Sequence, residues 1–203
     1  MTERQIERIK KTIKFYRARL AAEKRMHGDY DDSAGLRYII PELYLKIRDY
    51  KGALVYFRWF SKAFSDDIGF PVFNLFWSAA FFENNKIPQA INKAYETAFS
   101  NTYLLDLING KDPVQLDKSE TIGYENLEYA KQVYKGCIKF ITLEFQIWIS
   151  NLSEFDDFKA NLNKFISIQK LIKDEPVGPM RTGLLQESNK FERQLTGRIS
   201  NIP

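Results

Sequence analysis

The chain has one cysteine, Cys137, and one histidine, His27, so these two are the only candidates for a Cys-His nucleophile and base. Cys137 follows Gly136 in an apolar stretch, which is typical of a small buried residue rather than of a reactive thiol. His27 lies in a turn among acidic residues, where a surface or capping role is the simpler interpretation. A single cysteine also excludes an intrachain disulfide and argues against a zinc site.

The turn after the first predicted helix has the spacing of a calcium loop only at its start. Asp29, Asp31 and Ser33 occupy alternate positions, as the first ligands of such a loop do. However, Ala34 stands where the sharp turn needs glycine, and Ile40 stands where a bidentate glutamate is needed. The sequence therefore favours a helix cap over a calcium site.

The remaining paired carboxylates, Asp66-Asp67 and Asp156-Asp157, stand at predicted helix starts, where the helix dipole favours negative charge. The sequence has no P-loop, no G-x-G-x-x-G, no G-x-S-x-G elbow and no H-E-x-x-H. We therefore expect a protein that is not an enzyme and that uses no cofactor and no metal. Only a carboxylate site without a recognisable motif would support catalysis.

Residues 3–26 are predicted to form one long helix, because apolar residues recur every three or four positions and no glycine or proline intervenes. The segment 1–26 has nine basic and three acidic residues, a net charge of +6, whereas the rest of the chain carries −2. The basic residues are Arg4, Arg8, Lys10, Lys11, Lys14, Arg17, Arg19, Lys24 and Arg25. Two interpretations stay open: the helix binds nucleic acid or another anionic surface, or it is the solvated outer helix that caps a helical stack.

Membrane insertion and secretion are not indicated. The longest uncharged run, 68–82, has 15 residues and contains Pro71 and Asn74, whereas a spanning helix needs about 20 apolar residues. The first residues, MTERQIERIKKTIK, contain no apolar stretch of the signal-peptide type. With a single cysteine in the chain, we expect a cytoplasmic location and no membrane association.

Apolar periodicity predicts two helical hairpins in the middle of the chain, 34–47 with 51–64 and 70–84 with 87–100. The period-two alternation of a strand is not sustained anywhere. The chain has only 10 glycines and 7 prolines, which also argues against a turn-rich β fold. The sequence therefore predicts an all-α protein.

The two hairpins align with an offset of 37 residues, so that Ala53 overlays Ala90 and Tyr44 overlays Phe81. A small alanine lets the two helices of a hairpin approach closely, and large rings nearby fill the remaining space. The residues predicted to pack the hairpins are Tyr44, Tyr50, Ala53, Phe57, Trp77, Phe81 and Ala90.

The segment KIRDYKGALVYFRWFSKAF resembles the second half of a tetratricopeptide repeat (TPR), with its order of turn residue, aromatic residue, alanine and aromatic residue. The order YDDSxGLRYIIPELYLKIRDYKGAL is also similar to a group of bacterial TPR-like proteins. The resemblance covers about residues 35–100 and places the family's turn residue at Arg48 and Asn85. The repeat of 37 residues is longer than the ~34 residues usual in the family. The resemblance implies antiparallel helical hairpins stacked as a short solenoid, a binding role, and no reaction.

In TPR arrays the first helix of each hairpin lines a concave groove, so the resemblance implies a protein or peptide partner bound there. The implied groove residues are Tyr38, Glu42, Leu45, Lys46, Leu75, Phe82 and Glu83. The Lys/Asn set with which some members of the family clamp a terminal carboxylate is not reproduced. An immunity or regulatory partner is a narrower form of this hypothesis, and a nucleic-acid-binding regulator that uses the basic helix is the alternative. The sequence leaves open whether the C-terminal helices fill the groove, and which oligomer forms.

After residue 100 the sequence predicts an irregular loop over 101–122 and further helices over 124–199. One of these helices is predicted over 153–173, with Ser153 as its cap. The chain 1–203 is predicted to be a single all-α domain in which N- and C-terminal helices cap the hairpins.

Overall fold

A computed structural model describes residues 1–30 and 32–197, and every regular element in this part of the chain is a helix. The all-α prediction is therefore confirmed for the described residues. Asp31 of the calcium-like pattern and the end of the last predicted helix, residues 198–199, lie outside them.

The structure has ten α-helices within the described residues and a short 3-10 turn, Ile138–Phe140, between the seventh and the eighth. The helices are α1 Glu3–His27, α2 Leu36–Lys46, α3 Tyr50–Ala63, α4 Pro71–Phe82, α5 Ile87–Ser100, α6 Leu104–Ile108, α7 Leu127–Cys137, α8 Leu143–Glu154, α9 Asp156–Asp174 and α10 Pro179–Thr196. None of the helices in the described residues is long and apolar enough to cross a bilayer.

Helix α1 lies against α2 through the apolar stripe that the sequence predicts. Ile13 and Leu20 on this stripe are buried. A capping box between Thr2 and Gln5 fixes the start of the helix, since it satisfies two backbone N–H groups that no helical carbonyl can reach. The basic residues consequently lie on the sides and outer face of the helix.

The two hairpins turn in the same way, at positions 37 residues apart. Arg48 and Asn85 are the only non-glycine residues of the described chain with positive φ, at 58° and 55°. At both positions the backbone N–H donates to the carbonyl three residues earlier, at 3.0 and 2.9 Å. The next N–H donates to the carbonyl five residues earlier, again at 3.0 and 2.9 Å. The helices that follow, α3 and α5, have the same length, 14 residues, so the sequence repeat is a repeat of local structure.

Aromatic rings join the first hairpin to the second. Phe57 is fully buried and stacks on Trp77, with ring centroids 4.7 Å apart and planes 6° from parallel. It also packs against Phe73 with the ring planes at 82° and the centroids 5.2 Å apart. Ala53 and Ala90 are fully buried, which agrees with their predicted role as the small residues between helices.

Of the other predicted packing residues, three lie nearer the surface and one does not. Tyr44 is buried, whereas Tyr50, Trp77 and Phe81 are half-buried. Trp77, which stacks on Phe57, is also 6.3 Å from Phe81 between ring centroids. These rings therefore contribute both to the hairpin core and to the protein surface.

The structure differs from the sequence prediction of an irregular loop over 101–122. The first part of this segment forms α6, in which Leu104, Leu105 and Ile108 are buried. Helix α6 packs against α7 and α8, so contacts with distant parts of the chain determine its burial. The remainder, 109–122, contains no helix.

The predicted helix over 153–173 begins later than expected. Ser153 lies in the last turn of α8, where its Oγ accepts a hydrogen bond of 2.6 Å from Asn109 Nδ2, so it does not cap α9. The break falls at Phe155, whose extended backbone (φ −67°, ψ 136°) ends α8 and begins α9. The acidic pair Asp156-Asp157 then occupies the first turn of α9, where the helix dipole favours negative charge.

Candidate binding groove

The chain itself covers one end of the predicted groove. Phe82 packs against Phe145 and Trp148 of α8, with ring centroids 5.6 and 5.0 Å apart. Glu83 accepts a short hydrogen bond from the hydroxyl of Thr142. The same hydroxyl caps α8 by accepting a 3.1 Å bond from the N–H of Phe145. Helix α8 therefore occupies the place where a partner would contact Phe82 and Glu83.

The middle of the predicted groove offers little surface. Leu45 and Leu75 are fully buried, so neither side chain can contact a partner in this structure. Glu42 is half-buried and Lys46 is exposed. The 3-10 turn packs against α2, and the carbonyl of Phe140 in this turn accepts a 3.2 Å hydrogen bond from the side chain of Arg48.

The opposite end of the groove, at Tyr38, is built around a hydrogen-bonded cluster. The Tyr38 hydroxyl donates to Asp67 Oδ2 at 2.5 Å, and Arg37 Nε donates to the same oxygen at 2.9 Å. Asp32 caps α2 by accepting from the N–H groups of Leu36 and Arg37, at 2.7 and 2.9 Å. The cluster ties the loop between the hairpins to the start of α2. Burial, reinforced by the bond to Asp67, raises the pKa of Tyr38 to about 12, so the hydroxyl stays a donor at neutral pH.

An open cavity of 530 Å³ lies beside this cluster, and we call it the outer cavity. Four of its lining residues are aromatic and approach in pairs: Tyr38 with Phe70 at 4.7 Å, and Tyr124 with Tyr129 at 6.3 Å between ring centroids. The other lining residues are Arg37, Asp66, Asp67, Ile68 and Gly69. The outer cavity therefore combines aromatic surface with two carboxylates and one guanidinium.

A second cavity of 480 Å³ adjoins the first and shares Asp66, Ile68 and Tyr124 with it; we call it the inner cavity. It lies among α5, α9, α10 and the loop around residues 118–125. Two of its charged residues are buried and paired: Lys118 Nζ lies 3.0 Å from Glu120 Oε1, and Glu96 Oε2 lies 2.7 Å from Lys93 Nζ. The inner cavity is therefore polar as well as partly aromatic.

Of the residues that line the two cavities, only Tyr38 was predicted from the sequence to belong to a binding groove. Tyr124, Tyr129 and Lys118 belong to the segment after residue 100, which was predicted to be an outlying loop and a further helix. The signal available in the sequence was the pair Tyr124 and Tyr129, two aromatic residues five positions apart in a polar segment. Asp66 and Asp67 were noted in the sequence and explained by the helix dipole, whereas Asp67 in fact bonds to side chains of α2.

Helix α1 presents its basic residues to solvent. Four of these residues are exposed on one face of the helix: Arg4, Arg8, Lys11 and Lys14. Phe15 lies on the same face, and 62% of its surface is exposed. These four side chains form no salt bridge within the described residues, unlike Lys10 and Arg19, which pair with glutamates on the same helix. The exposed ring within the basic face is a feature that the sequence analysis did not single out.

The residues considered for catalysis are not assembled into a site. Cys137 is buried and its thiol donates to the carbonyl of Tyr134, at 3.3 Å. Burial raises the pKa of Cys137 to about 12, which disfavours the thiolate. His27 is exposed at the end of α1. Among the described residues, no group of three or more His, Cys, Asp or Glu side chains could hold a metal ion.

Comparison of the chain with protein-family models, with curated proteins and with solved structures finds no match. The resemblance to TPR proteins therefore stays a prediction based on the residues quoted above. Function is inferred here from the two cavities and from the basic face of α1.

Proposed function

We propose that the protein is a TPR-like helical-repeat module that binds a protein or peptide partner and catalyses no reaction. The repeated turn at Arg48 and Asn85, 37 residues apart, supports this proposal. Helix α4 also packs against α2 and α3 of the first hairpin as well as against α5, which is the pattern of contacts in stacked hairpins. Helices α1 and α10 cover the ends, and a polar exterior on α1 suits such a cap.

The outer cavity is the part of the predicted groove that a partner can reach. Helix α8 covers Phe82 and Glu83, whereas the cavity beside Tyr38 is open and lined by four aromatic rings. Aromatic residues dominate the energetics of protein interfaces, because they bury large areas at a small entropic cost. The observation that carries the proposal is this open aromatic cavity at the end of the repeated hairpins. We infer that it receives apolar anchor side chains of an extended or helical segment.

Site-specific photo-crosslinking tests this assignment in the full chain. A photoreactive phenylalanine derivative replaces Tyr129 in the outer cavity, and in a matched control it replaces Val55, which is 55% exposed on α3. In lysate of the source cell we expect one discrete crosslinked species from position 129 and none from position 55. The species should disappear when Phe70, on the cavity wall, is replaced by glutamate in the same chain.

Two results would contradict the proposal. One is a crosslinking pattern that is identical at positions 129 and 55, which would indicate random collisions. The other is a position-129 species that persists when Phe70 is changed while circular dichroism shows a folded chain. Either result removes the outer cavity as the partner site.

The basic outer face of α1 supports a second candidate function, a nucleic-acid-binding regulator. Unpaired lysine and arginine side chains neutralise phosphates and release counterions, and an exposed ring such as Phe15 can stack on an unpaired base. Fluorescence anisotropy with labelled single- and double-stranded DNA and RNA measures this directly. We expect steep weakening with salt, and loss of binding in Lys11→Glu/Lys14→Glu, whereas Lys51→Glu on α3 should bind as the wild type does. No binding at low salt would eliminate this function.

A further inference from the structure

The inner cavity has the size of a small-molecule site. Its volume of 480 Å³ lies within the range of roughly 300–1,000 Å³ that is typical of ligand pockets. Phe99 and Phe165, with ring centroids 4.6 Å apart, supply an aromatic wall, and Ile68 and Ile122 add aliphatic surface. A few polar groups converge on this apolar wall, which is the usual composition of a site for an organic ligand.

The charged lining is predominantly acidic. Four carboxylates, Asp66, Glu96, Glu125 and Glu192, face the cavity together with two cationic side chains. The cation Lys118 is already neutralised by Glu120, and the carboxylate Glu96 is already neutralised by Lys93. The remaining lining thus has more negative than positive charge.

Two of these carboxylates have no cationic partner among the described residues. Asp66 Oδ1 accepts a 3.3 Å hydrogen bond from the hydroxyl of Ser65. Glu125 Oε2 accepts from the backbone N–H groups of Thr121 and Ile122, at 2.7 and 3.1 Å. Each carboxylate is therefore held in place by neutral donors, and no cation among the described residues offsets its charge. A cation in the cavity would gain charge-assisted hydrogen bonds to both.

Thr196, which also lines the inner cavity, provides an independent indication of a ligand. Its side chain is 93% buried, since only 7% of the residue is exposed, and its Oγ1 has no hydrogen-bond partner among the described residues. A buried hydroxyl without a hydrogen-bond partner lowers the stability of the folded chain. A ligand that donates a hydrogen bond to this oxygen would remove this loss.

We propose that the inner cavity binds a small organic cation, with an amine or guanidinium group directed to Asp66 and Glu125 and an aliphatic body against Phe99 and Phe165. The cation supplies the positive charge that the two carboxylates lack, and its N–H groups can donate to Thr196 Oγ1. The aliphatic chain of such a cation would lie against the wall formed by Phe99, Phe165, Ile68 and Ile122. This site is distinct from the partner site in the outer cavity, although the two cavities share Asp66, Ile68 and Tyr124.

Isothermal titration calorimetry at low salt, with agmatine and spermidine as probes, tests the proposal on the full chain. The comparison ligands are n-pentanol, which has the apolar body without charge, and glutarate, which reverses the charge. We expect saturable binding of at least one cation to a single site, at least about tenfold tighter than either comparison ligand. No saturable binding of either cation at millimolar concentration would overturn the proposal.

Variants locate the site. Asp66→Asn and Glu125→Gln keep a hydrogen-bond acceptor but remove the charge, and each should weaken cation binding about tenfold. Glu128→Gln on α7, exposed and outside the lining, is the matched control and should bind as the wild type does. Thr196→Val should weaken binding without lowering the melting temperature, because the Thr196 hydroxyl forms no hydrogen bond within residues 1–30 and 32–197. Wild-type affinity in both charge variants would refute the site, and it would leave the crosslinking result at position 129 unaffected.

Discussion

Phe57→Ala is the most direct test of how the hairpins are joined. The ring is fully buried, stacks on Trp77 at 4.7 Å and forms a T-shaped pair with Phe73 at 5.2 Å. Truncating a buried phenylalanine to alanine costs about 3–5 kcal/mol, because the transfer free energy is lost and a cavity remains. Each lost ring pair contributes about 0.5–1.5 kcal/mol beyond its buried area. We therefore expect a loss of about 4 kcal/mol in the free energy of unfolding, the middle of that range.

Urea denaturation followed by far-UV circular dichroism measures this loss, provided that the transition is two-state with an unchanged slope. Thermal denaturation should show a fall of roughly 8–16 °C in melting temperature, at 2–4 °C per kcal/mol for a chain of this length. Val55→Ala, at a site 55% exposed on the same helix, is the matched control and should change stability by less than about 0.5 kcal/mol. A loss below about 1 kcal/mol in Phe57→Ala would refute the buried contact between the hairpins.

Three further predictions concern the buried polar groups. Cys137, with its pKa raised to about 12 by burial, should resist a thiolate-specific reagent at about pH 8 and react once the chain is unfolded; rapid reaction of the native protein would contradict its burial. Tyr38→Phe should lower the free energy of unfolding by about 1–3 kcal/mol, since the Asp67 carboxylate loses the hydroxyl donor and keeps only the bonds from Arg37 and the Gly69 N–H. Urea denaturation measures this change, and an unchanged midpoint would contradict it. Burial raises the pKa of Tyr38, Tyr103 and Tyr129 to about 12 each, so their contribution to stability is complete below about pH 10 and is lost as the pH rises toward 12. Tyrosinate absorbance during an alkaline titration checks this, and ionisation of all tyrosines near pH 10 in the folded protein would contradict it.

The hairpins could be predicted from the sequence because local signals determine them. Helix α5 has the predicted bounds, 87–100, since Asn84-Asn85 break the preceding helix and Pro88 suits the first turn of the next. The TPR resemblance and the offset of 37 residues predict matching turns at Arg48 and Asn85, and both residues have a positive φ in the structure. Periodicity and turn residues act within a few positions, so a single sequence reveals them.

The candidate site could not be predicted to the same extent, because it depends on contacts between distant segments. Nothing near Phe82 in the sequence indicates that Trp148, 66 positions later, will pack on it. Helix α6 has five residues, too few for a period of 3.6 to be visible, and neighbouring helices determine its burial. The aromatic wall of the outer cavity likewise joins Tyr38 to Tyr129 from the other half of the chain.

Hydrogen–deuterium exchange on the complex with the captured partner tests the central proposal most directly. Exchange reports which backbone amides the partner protects, without any substitution in the chain. The proposed partner site predicts slower exchange at the two outer-cavity segments, 66–70 and 124–129, and unchanged exchange in α1. Protection confined to α1 and abolished by high salt would contradict it and would favour the nucleic-acid alternative.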